Sequence, residues 1–295
     1  MDFQGTYTAL VTPFRKGEVD FGAFKILLER QKTAGITGVV PCGCTGEAAT
    51  LSLDERSELI RLSLETVGGS LRVVPGTGTN STRSTIALTK EAERAGAHAA
   101  MIITPYYNKP SQRGLVEHYL RVADATRLPL VLYNVPGRTG VTLAADTVAE
   151  LHASGRFAAI KEAAGSVDAV SDLRAKCAIT VLSGDDSLTL PMMSVGAKGV
   201  VSVVSNLVPS LVREMVDNAL AGEYAAAREI HFRLLPVIRA AFVESNPSPI
   251  KAMLSLEGMI ENELRAPLVP VTEKNLAVIR RALEDLETAS EGRRQ

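Results

Sequence analysis

Short apolar segments alternate with amphipathic helical segments along most of this chain, and no other feature of the sequence limits the fold as strongly. Eight segments combine the length and the apolar content expected of buried strands. They are Tyr7–Thr12, Gly38–Cys42, Arg72–Gly76, Ala99–Thr104, Pro129–Asn134, Phe157–Lys161, Thr180–Ser183 and Gly199–Val204. A helical pattern lies between consecutive strands, for example Phe21–Ala34 after the first and Ser52–Val67 after the second. This alternation predicts an α/β fold with a parallel sheet.

The number of strand–helix units favours a closed barrel over an open sheet. Eight units within about 210 residues fit a (β/α)8 TIM barrel. An open doubly wound sheet is the alternative, and it is disfavoured because no G-x-G-x-x-G motif opens the first helix.

The strand pattern stops after about Leu220 and gives way to helices. The predicted helices are Tyr224–Phe242, Pro249–Leu256 and Glu273–Glu287, with a proline-rich link at 246–249. We therefore predict a barrel over residues 1–222 and a C-terminal helical domain over residues 223–295. The polar tail Ala289–Gln295 is expected to fray.

Composition and charge disfavour several classes of function. The formal net charge is −1 and there is no long basic run, so nucleic acid is not the expected partner. No segment is apolar enough to span a membrane, and Met1–Gln4 lacks the basic start of a secretion signal, so we expect a cytoplasmic protein. The three cysteines, Cys42, Cys44 and Cys177, are too few for a disulfide framework. No second Cys pair or nearby His accompanies Cys42 and Cys44, so no metal site is expected.

One predicted strand carries a lysine among apolar residues. The segment Phe157–Ala163 reads F-A-A-I-K-E-A, with Lys161 near its end. A buried amine without a partner is costly and tends to lose its proton. Because a neutral amine attacks carbonyl carbon, Lys161 is a candidate Schiff-base residue. The alternative is a lysine whose ammonium reaches solvent from the strand end. The other lysines lie in polar, helical or turn-like segments.

Residues that follow the strands are the next candidates, because the active site of such a barrel forms at the carboxyl ends of its strands. Thr45, in the turn Gly43–Gly46, offers a hydroxyl and exposed N–H groups to a carboxylate, or else belongs to a plain turn. Tyr133 is next to Lys161 in strand order and can exchange a proton with it, or is a half-buried structural tyrosine.

Charged residues also follow these strands. Arg138 lies between Pro136 and Gly140 on a loop, where its guanidinium can bind a carboxylate with two hydrogen bonds or form an ordinary surface salt bridge. Asp185 and Asp186 are interpreted as caps of the next helix rather than as metal ligands or an acid pair.

Five segments at or beyond strand ends share their order and spacing with one known family. They read Gly-Cys-Thr-Gly-Glu at 43–47, Thr-Pro-Tyr-Tyr-Asn-Lys-Pro at 104–110, Tyr-Asn-Val-Pro-Gly-Arg-Thr-Gly at 133–140, Ile-Lys-Glu-Ala at 160–163 and Leu-Ser-Gly-Asp-Asp at 182–186. Together they resemble the dihydrodipicolinate synthase/N-acetylneuraminate lyase family, from Ala9–Pro13 to the C-terminal helices. The resemblance implies a (β/α)8 barrel with a helical C-terminal domain and class I aldolase chemistry on pyruvate.

The resemblance also assigns roles to particular residues. Lys161 would form an imine with pyruvate, and Tyr133 would transfer protons and hold the substrate. Thr45 and its turn would bind the pyruvate carboxylate. The backbone around Gly184 and Val201 would line the pyruvate pocket.

Three further positions concern proton transfer and the second substrate. Tyr107 corresponds to a tyrosine that the family supplies across a dimer interface, and Arg138 to the arginine that binds the carboxylate of L-aspartate 4-semialdehyde in the synthases. The synthases usually have threonine in place of Cys44, and its hydroxyl links the residues corresponding to Tyr133 and Tyr107 in a proton relay. A thiol is a weaker donor and acceptor than a hydroxyl, so we expect a weakened or rewired relay here.

The implied reaction is condensation of pyruvate with L-aspartate 4-semialdehyde through a lysine Schiff base, which gives 4-hydroxy-tetrahydrodipicolinate for lysine and diaminopimelate synthesis. It needs no metal or organic cofactor, and the implied assembly is a homotetramer built as a dimer of dimers. The alternative is another pyruvate-dependent lyase of the family, acting on a 2-keto-3-deoxy sugar acid or related hydroxy-keto acid. Arg138 argues against that lyase and Cys44 keeps it open. A third possibility, a binding protein without activity, is disfavoured by the presence of Lys161 and Tyr133.

Overall fold

Eight strands form one parallel sheet in the computed structural model, which describes residues 2–291. In chain order they are β1 (Gly5–Ala9), β2 (Gly38–Val40), β3 (Arg72–Val73), β4 (Ala100–Ile103), β5 (Leu130–Asn134), β6 (Phe157–Glu162), β7 (Thr180–Ser183) and β8 (Gly199–Ser202). Each strand overlaps one predicted segment. The largest difference is in β1, which begins at Gly5 rather than Tyr7 and ends at Ala9 rather than Thr12.

The sheet closes on itself to form a barrel. β1 pairs with β2 and β8, and parallel pairing continues from β8 through β7, β6 and β5 to β4. The chain just beyond β3 meets β4 through a parallel bridge between Gly76 and Met101, where the Met101 N–H donates to the Pro75 carbonyl at 3.0 Å. The predicted (β/α)8 barrel is therefore confirmed. A short antiparallel hairpin, Phe14–Arg15 with Glu18–Val19, lies outside the predicted elements.

Helices cover the outside of the barrel. Those that follow the strands are α1 (Phe21–Ala34), α2 (Leu53–Val67), α3 (Thr82–Ala95), α4 (Gln112–Asp124), α5 (Ala145–Ala153), α6 (Val167–Lys176), α7 (Thr189–Ser194) and α8 (Pro209–Leu220). The start of α2 is fixed by a capping box: the Ser52 hydroxyl accepts the Glu55 N–H at 3.1 Å, and the Glu55 carboxylate accepts the Ser52 N–H at 2.8 Å.

Further helices follow the barrel, as predicted. They are α9 (Tyr224–Ala240), α10 (Ser248–Leu256) and α11 (Glu273–Glu291). α9 packs against α8 and α11, and α10 packs against α11. The domain boundary at residue 222 stays a prediction. Of the tail predicted to fray, Ala289–Glu291 continue α11, and residues 292–295 lie outside the described residues.

Within residues 2–291, no helix has both the length and the apolar character needed to cross a membrane.

The two-residue period of the strands decides which side chains point into the barrel. In β6, Ala159 belongs to the cluster of side chains inside the barrel, whereas Ile160 packs with the apolar side chains of the surrounding helices. The next residue, Lys161, therefore points inward. In β5, Tyr133 also belongs to the inner cluster.

Candidate active site

Lys161 and Tyr133 lie side by side inside the barrel. They are direct partners in the parallel pairing of β5 with β6, and the Lys161 Nζ lies 4.3 Å from the centroid of the Tyr133 ring. Only 5% of Lys161 is exposed. Burial lowers the pKa of the Lys161 amine below its usual value of 10.5, an effect that the neighbouring Cys44, Asp186 and Asp185 oppose. The amine is therefore easier to deprotonate than that of an exposed lysine.

Gly184 follows β7 and makes room for the lysine. A Cβ at this position would lie 2.9 Å from Lys161 Cε and 2.6 Å from Ala163 Cβ, which is too close for any side chain. Val201, in β8, is buried in the inner cluster together with Tyr133. Both residues predicted to line the pyruvate pocket are thus at the inner wall of the barrel.

Cys44 lies close to Tyr133 and packs against the cluster of side chains inside the barrel. Burial is the main cause that raises the pKa of Tyr133 well above its usual value of 10.0, and the neighbouring Cys44 raises it further. The phenol therefore stays protonated and can donate. Cys44 is partly exposed, so this contact lies between the barrel interior and solvent.

The turn that carries Thr45 is folded back on itself. The Gly46 N–H donates to the Gly43 carbonyl at 3.1 Å, and the Glu47 N–H donates to the Cys44 carbonyl at 3.1 Å. Within the described residues, the N–H groups of Cys44 and Thr45 donate to no other residue. Of the N–H groups in this turn that were predicted to bind a carboxylate, those of Cys44 and Thr45 are therefore available to a ligand, whereas that of Gly46 is not.

A cavity of about 430 Å³ lies beside these residues. Its wall includes Cys44, Tyr133, Arg138 and Asn246. Lys161 and Thr45 are not part of this wall, but each is next to a residue that is: Lys161 contacts the Tyr133 ring, and Thr45 follows Cys44 in the chain.

Arg138 lies on a helical turn, Pro136–Thr139, where the sequence analysis predicted a loop. The turn ends at Gly140, whose φ of 72° lies in the left-handed region. The Arg138 Nη2 donates to the Asn246 carbonyl at 3.0 Å. This contact holds the guanidinium at the cavity wall.

Asp185 and Asp186 do not cap the following helix, so that prediction is wrong. The buried Asp186 carboxylate accepts hydrogen bonds from the Ser202 hydroxyl and, at 2.9 Å, from the Val203 N–H. Asp185 precedes a short 3-10 turn without a capping bond from its side chain, and its carboxylate accepts the Gly165 N–H at 3.1 Å. The two aspartates instead tie together the ends of β6, β7 and β8.

Among the predicted site residues, Tyr107 is the one that lies away from the others within this single chain. It is 89% exposed and has a left-handed φ of 75° in the loop after β4. Its predicted role in a neighbouring subunit stays a prediction.

Two residues near the site escaped the sequence analysis. The Asn246 Nδ2 donates to the Thr45 hydroxyl at 2.9 Å, although 201 positions separate the two residues. Lys251 is fully buried, in a segment that the sequence analysis predicted to be helical without singling out this lysine. A signal for Lys251 was present, since it interrupts the apolar stretch Pro249–Leu254 as Lys161 interrupts its strand.

The fold and these contacts together define a class of protein, the (β/α)8 barrel enzymes that use a lysine Schiff base. Within the side chains described, residues 2–288, no group of three or more His, Cys, Asp or Glu is arranged to hold a metal ion.

Comparison with known proteins gives the family. Residues 2–286 match the Dihydrodipicolinate synthetase family. A 4-hydroxy-tetrahydrodipicolinate synthase of Citrifermentans bemidjiense is 49% identical over 277 residues, which cover 93% of this chain and 96% of the relative. The solved structure of the 4-hydroxy-tetrahydrodipicolinate synthase from Methylacidiphilum fumariolicum is 46% identical, with a TM-score of 0.96 and 97% of each chain covered. A monomeric dihydrodipicolinate synthase variant is 41% identical, with a TM-score of 0.95 and 97% of each chain covered. The chain belongs to the Dihydrodipicolinate synthetase family.

Proposed function

We propose that this chain condenses pyruvate with L-aspartate 4-semialdehyde to give 4-hydroxy-tetrahydrodipicolinate and water. The observation that carries the proposal is the pairing of the buried Lys161 amine with the Tyr133 phenol at the inner wall of the barrel. Family membership and the names of the relatives support the same reaction.

The first half of the reaction takes place on pyruvate. The Thr45 turn binds the pyruvate carboxylate through the N–H groups that are left free. The neutral Lys161 amine attacks the ketone carbon, and loss of water gives a protonated imine. Tyr133, in contact with Cys44, supplies and accepts the protons of these steps. The imine then loses a methyl proton to become an enamine, because the positive nitrogen accepts the electron pair.

The second half consumes the semialdehyde. The enamine carbon attacks the aldehyde carbon, and the aldehyde oxygen becomes the 4-hydroxyl group. The amino group of the semialdehyde then attacks the imine carbon and closes the ring, which releases the Lys161 amine. Each step exchanges protons and bonds only, so the reaction requires no metal or organic cofactor.

Arg138 favours the semialdehyde over a sugar acid as the second substrate. Its guanidinium lies at the cavity wall, where it can bind the semialdehyde carboxylate with charge-assisted hydrogen bonds. The alternative lyase reaction would need this charge less, since a sugar acid presents hydroxyl groups along most of its length.

We also propose that the chain assembles as a homotetramer, a dimer of dimers, and acts in the cytoplasm. The exposed Tyr107 supports a subunit contact near the site. The similarity to a monomeric variant means that the fold alone does not require this assembly. Light scattering coupled to size-exclusion chromatography tests it, and a monomer at all concentrations would contradict it.

Trapping of the imine tests the reaction. The purified protein is incubated with pyruvate, reduced with borohydride and digested, and we expect a pyruvate-derived mass on the peptide that contains Lys161. Samples without pyruvate are the control. A parallel assay with pyruvate and L-aspartate 4-semialdehyde tests the second substrate. A label on another lysine, or none, contradicts the mechanism, and trapping without turnover of the semialdehyde favours the alternative lyase.

A further inference from the structure

A second buried ion network holds the turn that carries Thr45. The Glu47 and Lys251 side chains are both 0% exposed, and the Lys251 Nζ lies 2.7 Å from Glu47 Oε1. Glu47 ends the Gly43–Glu47 turn, and Lys251 lies in α10, beyond the barrel. Neither residue has a part in the proposed reaction.

The network joins three separate parts of the chain. The Lys251 Nζ also donates to the Thr12 carbonyl at 2.9 Å, just beyond β1. The second carboxylate oxygen of Glu47 accepts the Arg265 N–H at 3.0 Å. The Glu47 carboxylate and the Lys251 ammonium thus connect the turn after β2 to the chain after β1 and to the C-terminal helical segment.

The turn requires such support because its backbone is unusual. Glu47 has a φ of 54°, in the left-handed region that residues with a Cβ rarely adopt. At Gly46, an added Cβ would lie 3.0 Å from the Leu10 carbonyl, and the Thr12 hydroxyl donates to the Gly46 carbonyl at 2.7 Å. The turn packs closely against the chain at the end of β1. The Glu47 carboxylate anchors the C-terminal end of the turn, two residues after Thr45.

We propose that Glu47 and Lys251 are positioning residues, which hold the Thr45 turn in the geometry that binds the carboxylate of pyruvate. This proposal rests on the proposed function. The C-terminal helices therefore contribute to substrate binding without contacting substrate. The simpler alternative is an ion pair that stabilises the fold and has no effect on the site.

The two roles differ in what happens when both charges are removed together. Replacing one partner leaves a buried charge without compensation, whereas replacing both with neutral side chains of similar size often restores stability. A stabilising pair would then give a double variant with normal pyruvate binding. A positioning pair would give a double variant that is stable and still binds pyruvate weakly, because the contacts to Thr12 and Arg265 are altered.

The experiment compares Lys251→Met, Glu47→Gln and the double variant with the unmodified protein. The measured quantities are the Tm and the pyruvate concentration that gives half-maximal borohydride trapping of the imine. We expect each single variant to lose about 10 °C in Tm. In the double variant, the Tm should recover while the half-maximal pyruvate concentration stays raised by about tenfold or more, and trapping should still reach completion at high pyruvate. The KM for L-aspartate 4-semialdehyde should change less than twofold.

Two further variants make the test decisive. Lys176→Met removes an exposed lysine that pairs with Asp146 at 2.6 Å, and it should change neither quantity. Glu47→Asp keeps the charge but shortens the side chain, so it should fold and still raise the half-maximal pyruvate concentration. Normal pyruvate binding in Glu47→Asp or in the double variant overturns the positioning role. Absence of trapping in the unmodified protein would instead overturn the proposed function.

Discussion

Two lysines of this protein are buried in similar surroundings and differ in one respect. Lys161 is 5% exposed and Lys251 is 0% exposed. Each Nζ atom lies 4.3 Å from the centroid of an aromatic ring, that of Tyr133 for Lys161 and that of Phe14 for Lys251. Lys251 forms an ion pair with Glu47, whereas Lys161 has no ion-pair partner among the described side chains.

The difference shows that burial alone does not identify a nucleophile. Burial lowers the pKa of both amines, and for Lys251 the nearby Glu47 carboxylate opposes that change through a direct hydrogen bond. A paired ammonium is held in its charged form and serves as a structural cation. An unpaired buried amine can lose its proton and attack a carbonyl carbon. The distinguishing feature is thus the counter-charge.

The largest expected effect is that of Lys161→Met on turnover. Methionine keeps most of the volume but has no amine, so the imine cannot form and activity should fall on the order of 10⁴-fold or more. The Tm should stay the same or rise, because an unpaired buried amine is removed. Turnover, borohydride trapping and thermal unfolding measure the three quantities. Trapping that persists in Lys161→Met would assign the nucleophile to another residue.

The matched change at the other lysine should lower stability in addition to weakening pyruvate binding. Lys251→Met leaves the Glu47 carboxylate buried without its partner, which should lower the free energy of unfolding by about 3–5 kcal/mol. Denaturant unfolding of both methionine variants measures the contrast directly. Equal stability of the two variants would show that the Lys251 ion pair contributes nothing that Lys161 lacks.

The sequence predicted the surroundings of Lys161 but not those of Lys251. The apolar strand pattern located Lys161, and consecutive strands of a parallel barrel are neighbours, so its contact with Tyr133 followed. Lys251 and Glu47 are 204 positions apart. Their contact depends on how α10 packs against the barrel, for which no local pattern exists. The same holds for Asn246 and Thr45, and for the Asp186 carboxylate, which turns toward Ser202 rather than toward its own helix.

Near Lys161, substitutions of Cys44 test whether the polar groups beside the lysine take part in proton transfer. Cys44→Thr should keep or raise synthase activity, because a hydroxyl both donates and accepts. Cys44→Val has a similar volume and no polar hydrogen, so its activity should fall about 10²-fold or more. Steady-state rates with pyruvate and L-aspartate 4-semialdehyde measure both. Equal rates for threonine and valine would show that Cys44 only fills space.

Substitution of Arg138 tests whether the cavity near Lys161 binds the semialdehyde through a residue that pyruvate binding does not need. Arg138→Ala should leave pyruvate trapping intact and lower kcat/KM for the semialdehyde about tenfold or more, since a charge-assisted contact is lost. The exposed Arg121, paired with Glu117 on α4, offers the control Arg121→Ala, which should change neither quantity. Unchanged kinetics for the semialdehyde in Arg138→Ala would favour the lyase that acts on a sugar acid.

The smallest expected effect concerns pH and follows from the lowered pKa of Lys161. At low pH the amine is protonated and does not attack, so the rate of imine formation should rise about tenfold per pH unit up to that pKa and then level off. Because the pKa lies below 10.5, the plateau should be reached below that pH. Between the lowered pKa and 10.5, the unfolded chain binds a proton that the native chain lacks. The free energy of unfolding should therefore increase with pH relative to Lys161→Met, by at most about 1.4 kcal/mol per unit. Short incubations with pyruvate at a series of pH values, each stopped with borohydride, measure the rate. A rate that still rises tenfold per unit as pH 10.5 is approached would mean that the Lys161 amine behaves like an exposed lysine, and that its difference from Lys251 does not lie in its ease of deprotonation.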